Sequence, residues 1–106
     1  MSSNKSPGIL DLFAGAGGMA LGFNAAGGRA LGAVEIDEAA SQSFARNFAH
    51  ENPVVFGGPE RGDVTQLEPA QLLSSLSAMP DIIVGGPPCQ GFSRIGRAKQ
   101  RSLLTE

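Results

Sequence analysis

The chain of 106 residues contains one cysteine, Cys89, and one histidine, His50. A single cysteine excludes an internal disulfide and any zinc site built from several cysteines. A local Cys–His pair would have to use His50, and no metal site is expected. No apolar run approaches the ~20 residues of a membrane span. The polar opening Met1-Ser2-Ser3-Asn4-Lys5-Ser6 has no signal-peptide core. The expected setting is the cytoplasm, in association with the nucleoid, for a prokaryote and the nucleus for a eukaryote. Repeats and low-complexity tracts are also lacking. What remains is a chain 42% hydrophobic and 17% charged, globular in composition and long enough for one small domain.

The net charge of −2 hides an asymmetry. Residues 1–93 carry four basic and nine acidic side chains, a balance of −5. Residues 94–106 carry Arg94, Arg97, Lys99 and Arg101 against Glu106, a balance of +3. A basic cluster suits an anionic substrate such as nucleic acid, although a solvated tail has the same composition.

Strand and helix signals alternate. Gly8 to Phe13 reads as a first strand, and Ala14-Gly15-Ala16-Gly17-Gly18 as a tight turn. Met19 to Ala26 reads as a helix anchored by Leu21 and Phe23 and stopped by Gly27-Gly28. Ala30 to Ile36 is a second strand. Asp37 then caps a helix to about Ala49, with Phe44 and Phe48 on one face. Pro53 to Phe56 is a short third strand, with Asp63 placed at its end after a loop from Gly57 to Gly62. Thr65, or Glu68 with Pro69, starts a helix whose Leu72, Leu73 and Leu76 face the sheet, and Asp81 to Val84 form a fourth strand. This alternation predicts an α/β fold with a mostly parallel sheet and flanking helices. Residues 1–7 are expected to be disordered and strand four to sit at an uncovered edge, as in part of a larger fold.

Two segments carry chemistry. Gly15-Ala16-Gly17-Gly18-Met19-Ala20 fits G-x-G-x-x-G/A between a strand and a helix, a turn that lets a ligand approach the backbone. Glu35 at the end of strand two can accept hydrogen bonds from ribose hydroxyls. Asp63 can accept from an adenine amino group, though alone such a residue is more often a helix cap. The glycine motif does not choose between a dinucleotide and S-adenosylmethionine. Beyond strand four, Pro87-Pro88-Cys89-Gln90-Gly91-Phe92-Ser93 places a thiol where active sites of open α/β sheets form. A lone cysteine is usually a small buried hydrophobe, but the two prolines put this one outside the strand.

These segments resemble the DNA cytosine carbon-5 methyltransferases. The resemblance rests on Asp11-Leu12-Phe13-Ala14-Gly15-Ala16-Gly17-Gly18, Glu35-Ile36-Asp37, Gly62-Asp63-Val64 and Gly86-Pro87-Pro88-Cys89-Gln90-Gly91-Phe92-Ser93, in family order. It implies the N-terminal half of a Rossmann-like methyltransferase domain, within residues 8–106, that uses S-adenosylmethionine in DNA methylation, restriction-modification included. Phe13 and Ile36 would meet the adenine. The backbone of Ala14, Gly15, Gly17 and Gly18 would lie near the methionine part, with Pro87 also at the cofactor. Glu35 would bind the ribose, and Asp63 and Val64 the adenine edge. Cys89, framed by Pro88 and Gln90, would attack carbon 6 of a cytosine swung out of double-stranded DNA. Ser93, Arg94, Arg97 and Lys99 would belong to a loop on the DNA. The family's Glu-Asn-Val triplet and target-recognition region do not occur in these residues. The expectation is therefore a fragment, or one part of a split enzyme with a complementary polypeptide, inactive alone. Two other readings remain: a non-catalytic nucleotide- or protein-binding module, and a dinucleotide-dependent oxidoreductase, in whose scheme the proline–cysteine block has no place.

Overall fold

The computed structural model describes residues 6–86. They form a four-stranded sheet, β1 (Gly8–Asp11), β2 (Arg29–Glu35), β3 (Val54–Gly57) and β4 (Ile82–Val84), in the order β3-β2-β1-β4. Every pairing is parallel. The principal helices are α1 (Gly18–Ala25), α2 (Glu38–Asn47), α3 (Gly58–Arg61) and α4 (Pro69–Ser75). The α/β architecture read from the sequence is the one observed.

The strands sort their side chains by the period of two that a pleated sheet imposes. Ala33 points to one face and joins Ala14, Ala20, Ala30, Phe44 and Phe48, with Val55 packed against them; Ala30 shares that face because the pairing of β2 with β1 slips by one residue between Ile9 and Leu10. Val34 points to the other and joins Leu10, Leu72 and Leu76, with Val54 and Phe56 alongside. Helices thus cover both faces. This is why β1 and β2 are apolar with hardly a break and buried almost throughout.

Helix boundaries follow capping chemistry. The Asp37 carboxylate accepts from the Ala40 N–H at 2.8 Å and opens α2. Glu68 accepts from the N–H groups of Ala70 and Gln71, and Pro69 occupies the first turn, so α4 starts at Glu68 and not at Thr65. The Phe44 and Phe48 rings lie 4.6 Å apart, centroid to centroid.

Several expectations need correction. Leu21 does not anchor α1: it is 62% exposed, and the small Ala20 packs inward instead, because α1 lies close to an alanine-lined face of the sheet. Phe23 is only half-buried. The segment 57–62 is not plain loop but holds α3, with Pro59 in its first turn and the Arg61 guanidinium over the Phe56 ring. Asp63 therefore does not end β3. It follows α3 and caps a short 3-10 turn, Val64–Gln66. Among the described residues β4 pairs with β1 alone, as expected of an edge.

Candidate functional site

The strand order fixes where a ligand fits. From β1 the chain moves outward through β2 and β3, then returns to place β4 on the other side of β1. Crossovers therefore leave β1 in opposite directions, and a crevice opens beyond the carboxyl ends of the strands. A cleft of about 410 Å³ lies there. Its wall draws on the segment after β1 (Leu12, Phe13, Gly15), the end of β2 (Glu35, Ile36), the segment after α3 (Gly62, Asp63, Val64, Thr65) and Gly86 after β4.

Register explains how Glu35 reaches the glycine turn. Asp11, the last residue of β1, pairs with Ala33, so β2 runs two residues further. The glycine turn passes over that overhang. Ala14 N–H donates to the Val34 carbonyl at 3.0 Å, and Gly15 N–H donates to Glu35 Oε1 at 2.7 Å. Glu35 Oε2 accepts from Asp37 N–H at 2.8 Å. One carboxylate therefore ties the glycine turn to the start of α2. Each of its oxygens keeps a second lone pair for a ligand.

Asp63 is brought to the same cleft by Gly62. A Cβ on Gly62 would run into the Glu35 carbonyl oxygen, so only glycine lets the segment after α3 lie on the end of β2. Gly62 was quoted within a sequence block but not singled out. Its signal, a glycine directly before an acidic residue, is too common to be read alone.

Ala14, Gly17 and Gly18 do not line this cleft. Ala14 is buried in the core under α1 and α2. Gly17 has a left-handed backbone (φ 109°), and a Cβ there would overlap the Phe48 ring and approach Phe44 Cδ2 at 3.2 Å. Gly17 and Gly18 border a neighbouring hollow with Leu21 and Asn47. The Asn47 amide donates to the Ala16 carbonyl at 2.9 Å, a second tie on the turn that the sequence did not suggest.

Asp11 is the other residue that sequence reasoning passed over as a site. It is 2% exposed at the end of β1. Its Oδ1 accepts from Phe13 N–H at 3.2 Å, while Oδ2 is buried with no partner among the described residues. Burial pushes its carboxyl above the ordinary value. The Phe13 hydrogen bond opposes the shift and the nearby Glu35 charge adds to it.

Pro87, Pro88, Cys89, Gln90, Ser93, Arg94, Arg97 and Lys99 lie outside the described residues. Among the described residues no cluster of His, Cys, Asp or Glu is arranged to hold a metal ion, and no helix is long and apolar enough to cross a membrane.

This crevice, with an acidic residue closing β2 and a glycine turn after β1, lies where open α/β sheets place their ligand sites. The chain belongs to the C-5 cytosine-specific DNA methylase family, whose sequence model matches residues 8–104. It is similar to the putative type II methyltransferase M.OihORF3336P of Oceanobacillus iheyensis, at 40% identity over 99% of this chain and 23% of that protein. It is 46% identical to the type II methyltransferase M.DdeI of Desulfomicrobium norvegicum over 88% of this chain and 21% of the relative. With the type II methyltransferase M.HgiGI of Herpetosiphon aurantiacus it shares 39% identity over 83% of this chain and 64% of the relative. The chain thus spans about a fifth to a quarter of the first two relatives. No solved structure matches it.

Proposed function

We propose that this chain carries the cofactor cleft and the nucleophile of a DNA cytosine carbon-5 methyltransferase, with S-adenosylmethionine as cofactor and double-stranded DNA as substrate. Residues 8–106 form one partial catalytic domain in this reading. A polypeptide segment bearing the remaining family blocks completes it, and the greater length of the relatives supports this.

The observation that carries the proposal is the composition of the cleft. Phe13, Ile36 and Val64 give apolar walls for a purine, and Glu35 and Asp63 give carboxylate acceptors for hydroxyl and amino groups. Ile36 is 52% exposed, a large apolar side chain left open at the cleft. This donor-poor, acceptor-rich lining fits a nucleoside with a positively charged tail better than it fits a pyrophosphate, which carries negative charge. That favours S-adenosylmethionine over a dinucleotide. When bound, the cofactor supplies an electrophilic methyl group.

Each residue then has a role. Phe13 and Ile36 hold the adenine, Asp63 and Val64 read its edge, and Glu35 accepts from the ribose. Gly15, bonded to Glu35, fixes the turn that flanks the methionine part, with Ala14, Gly17 and Gly18 shaping that turn and Pro87 closing on the cofactor. Gly86 lines the cleft and Cys89 follows three residues later. This closeness in sequence supports the assignment of Cys89 to the site. The Cys89 thiolate, framed by Pro88 and Gln90, adds to carbon 6 of the flipped cytosine, and carbon 5 becomes nucleophilic enough to accept the methyl group; loss of the carbon-5 proton to a base then expels the Cys89 thiolate from carbon 6 and restores the aromatic ring. An ordinary thiol pKa of ~8.5 leaves only a few per cent thiolate at neutral pH, so the site has to favour the ionised form. Ser93, Arg94, Arg97 and Lys99 contact the DNA backbone, giving affinity without sequence information.

The test is covalent trapping on DNA carrying 5-fluorocytosine, in the completed enzyme with S-adenosylmethionine. A stable protein–DNA adduct is expected from the native chain and none from Cys89→Ser. An adduct formed by the serine variant refutes the assignment.

A further inference from the structure

We infer that Thr65 is a positioning residue that aims Asp63 at the amino group of the cofactor's purine, which makes the cleft selective for adenosine over its deaminated counterpart; the inference rests on the cofactor reading above. Both residues line the cleft. Thr65 donates twice to one oxygen of Asp63: its N–H to Oδ1 at 3.0 Å and its hydroxyl to the same Oδ1 at 2.6 Å. A carboxylate is acceptor-only, so the hydroxyl proton must point at Asp63. The two bonds fill both lone pairs of Oδ1. Asp63 Oδ2 has no protein partner among the described residues.

The consequence is directional. One backbone bond leaves a carboxylate free to turn about its last side-chain torsion, which has a broad well. The hydroxyl adds a second contact from a β-branched side chain with few rotamers, and fixes which oxygen is left over. That oxygen meets an N–H donor well and a carbonyl badly. Adenine offers an amino group at carbon 6, whereas the deaminated base offers a carbonyl there. Val64 and Phe13, also on the cleft wall, hold a purine of either kind by its apolar faces and provide no such choice.

The experiment is titration of the completed enzyme, in which this chain is joined to the segment bearing the remaining family blocks, with S-adenosylhomocysteine and with S-inosylhomocysteine, followed by calorimetry. The enzyme with native Thr65 is expected to bind the adenosyl compound more tightly. Thr65→Val keeps shape but loses the hydroxyl, and should weaken adenosyl binding by about 3- to 10-fold, the worth of one hydrogen bond. Inosyl binding should change by less than about twofold. Thr65→Ser restores the hydroxyl and should restore the preference. Circular dichroism establishes that each variant is folded, and Thr65→Ser carries the test if the valine variant is not. Equal loss of both ligands would mark a purely structural threonine and overturn the inference. Undiminished adenosyl binding by Thr65→Val overturns it as well, while the cofactor reading stands. A completed enzyme with native Thr65 that binds neither compound overturns both.

Discussion

The two ends of the sheet use their carboxylates differently. At the amino end, Asp81 Oδ2 accepts from Gly8 N–H at 2.8 Å, lashing β4 to β1. Glu51 accepts from Ala30 N–H at 2.9 Å and from the Asn24 amide at 2.8 Å, joining the start of β2 to α1. These acidic groups serve the fold. At the carboxyl end Glu35 makes a similar bridge, between Gly15 and Asp37, yet it also faces a cleft. There Asp63 has one oxygen engaged, and Asp11 has one oxygen that is buried and has no partner among the described residues. A bridging glutamate is therefore no sign of function by itself. The unused acceptors are, because a fold that needed only stability would satisfy them or omit them.

The largest effect that can break this contrast comes from the glycine turn. Gly17→Val adds a β-branched side chain at a left-handed residue and drives it into Phe48. The cost is about 2–5 kcal/mol of stability, from backbone strain and overpacking together. Gly18, one residue on, has open space where a Cβ would stand. Gly18→Ala should change stability by less than about 0.5 kcal/mol. Urea denaturation of the two variants checks this. If Gly17→Val proved as stable as the native chain, the glycine would serve the ligand and not the packing.

The paired glutamates sharpen the contrast further. Glu35→Ala should weaken cofactor binding by roughly 1.5–3 kcal/mol, the range for hydrogen bonds to a charged group. Glu51→Ala should leave binding unchanged and cost about 1–3 kcal/mol of stability, because it strips the acceptor from the backbone N–H of the buried Ala30. Calorimetric titration and thermal unfolding of both variants separate the two roles. Equal losses of affinity would show that the ends are not distinct.

Much of this was legible in the sequence, and the exceptions share a cause. Strands, helix starts and the glycine turn announce themselves through apolar runs and caps, so β1, β2, Asp37 and Glu68 could be placed from type and spacing. Glu35 and Ile36 could be placed at the cleft for the same reason: Glu35 closes an unmistakable strand and Ile36 follows it. The Glu51 bridge was invisible, because its partners Asn24 and Ala30 are more than twenty residues away. Leu21 misled because apolar character states what a residue tolerates, and the alanine-lined face under α1 has room only for Ala20. The role of Gly17 was read as clearance for a ligand, whereas the nearest atoms belong to Phe48 and Phe44, a contact between elements that no local pattern carries.

The smallest expected effect concerns Asp11, where the two ends differ most. At the amino end Asp81 holds a backbone N–H from an exposed position, whereas Asp11 is buried with one oxygen unpaired among the described residues. Its raised pKa has a definite sign in stability. Below the usual carboxylate range both folded and unfolded chains hold the proton, and the buried group costs little. As pH rises, the unfolded chain releases its proton first, so the folded state loses stability until pH passes the raised value of Asp11. Asp11→Asn keeps an oxygen for Phe13 N–H and cannot ionise. Its stability relative to the native chain should therefore improve as pH rises above the ordinary carboxylate range and level off once the raised value of Asp11 is passed. Denaturation midpoints measured across that range, with Asp81→Asn as the amino-end control, test the assignment. If the Asp11→Asn difference were flat with pH, the carboxyl would not be the strained group that the unpaired oxygen indicates.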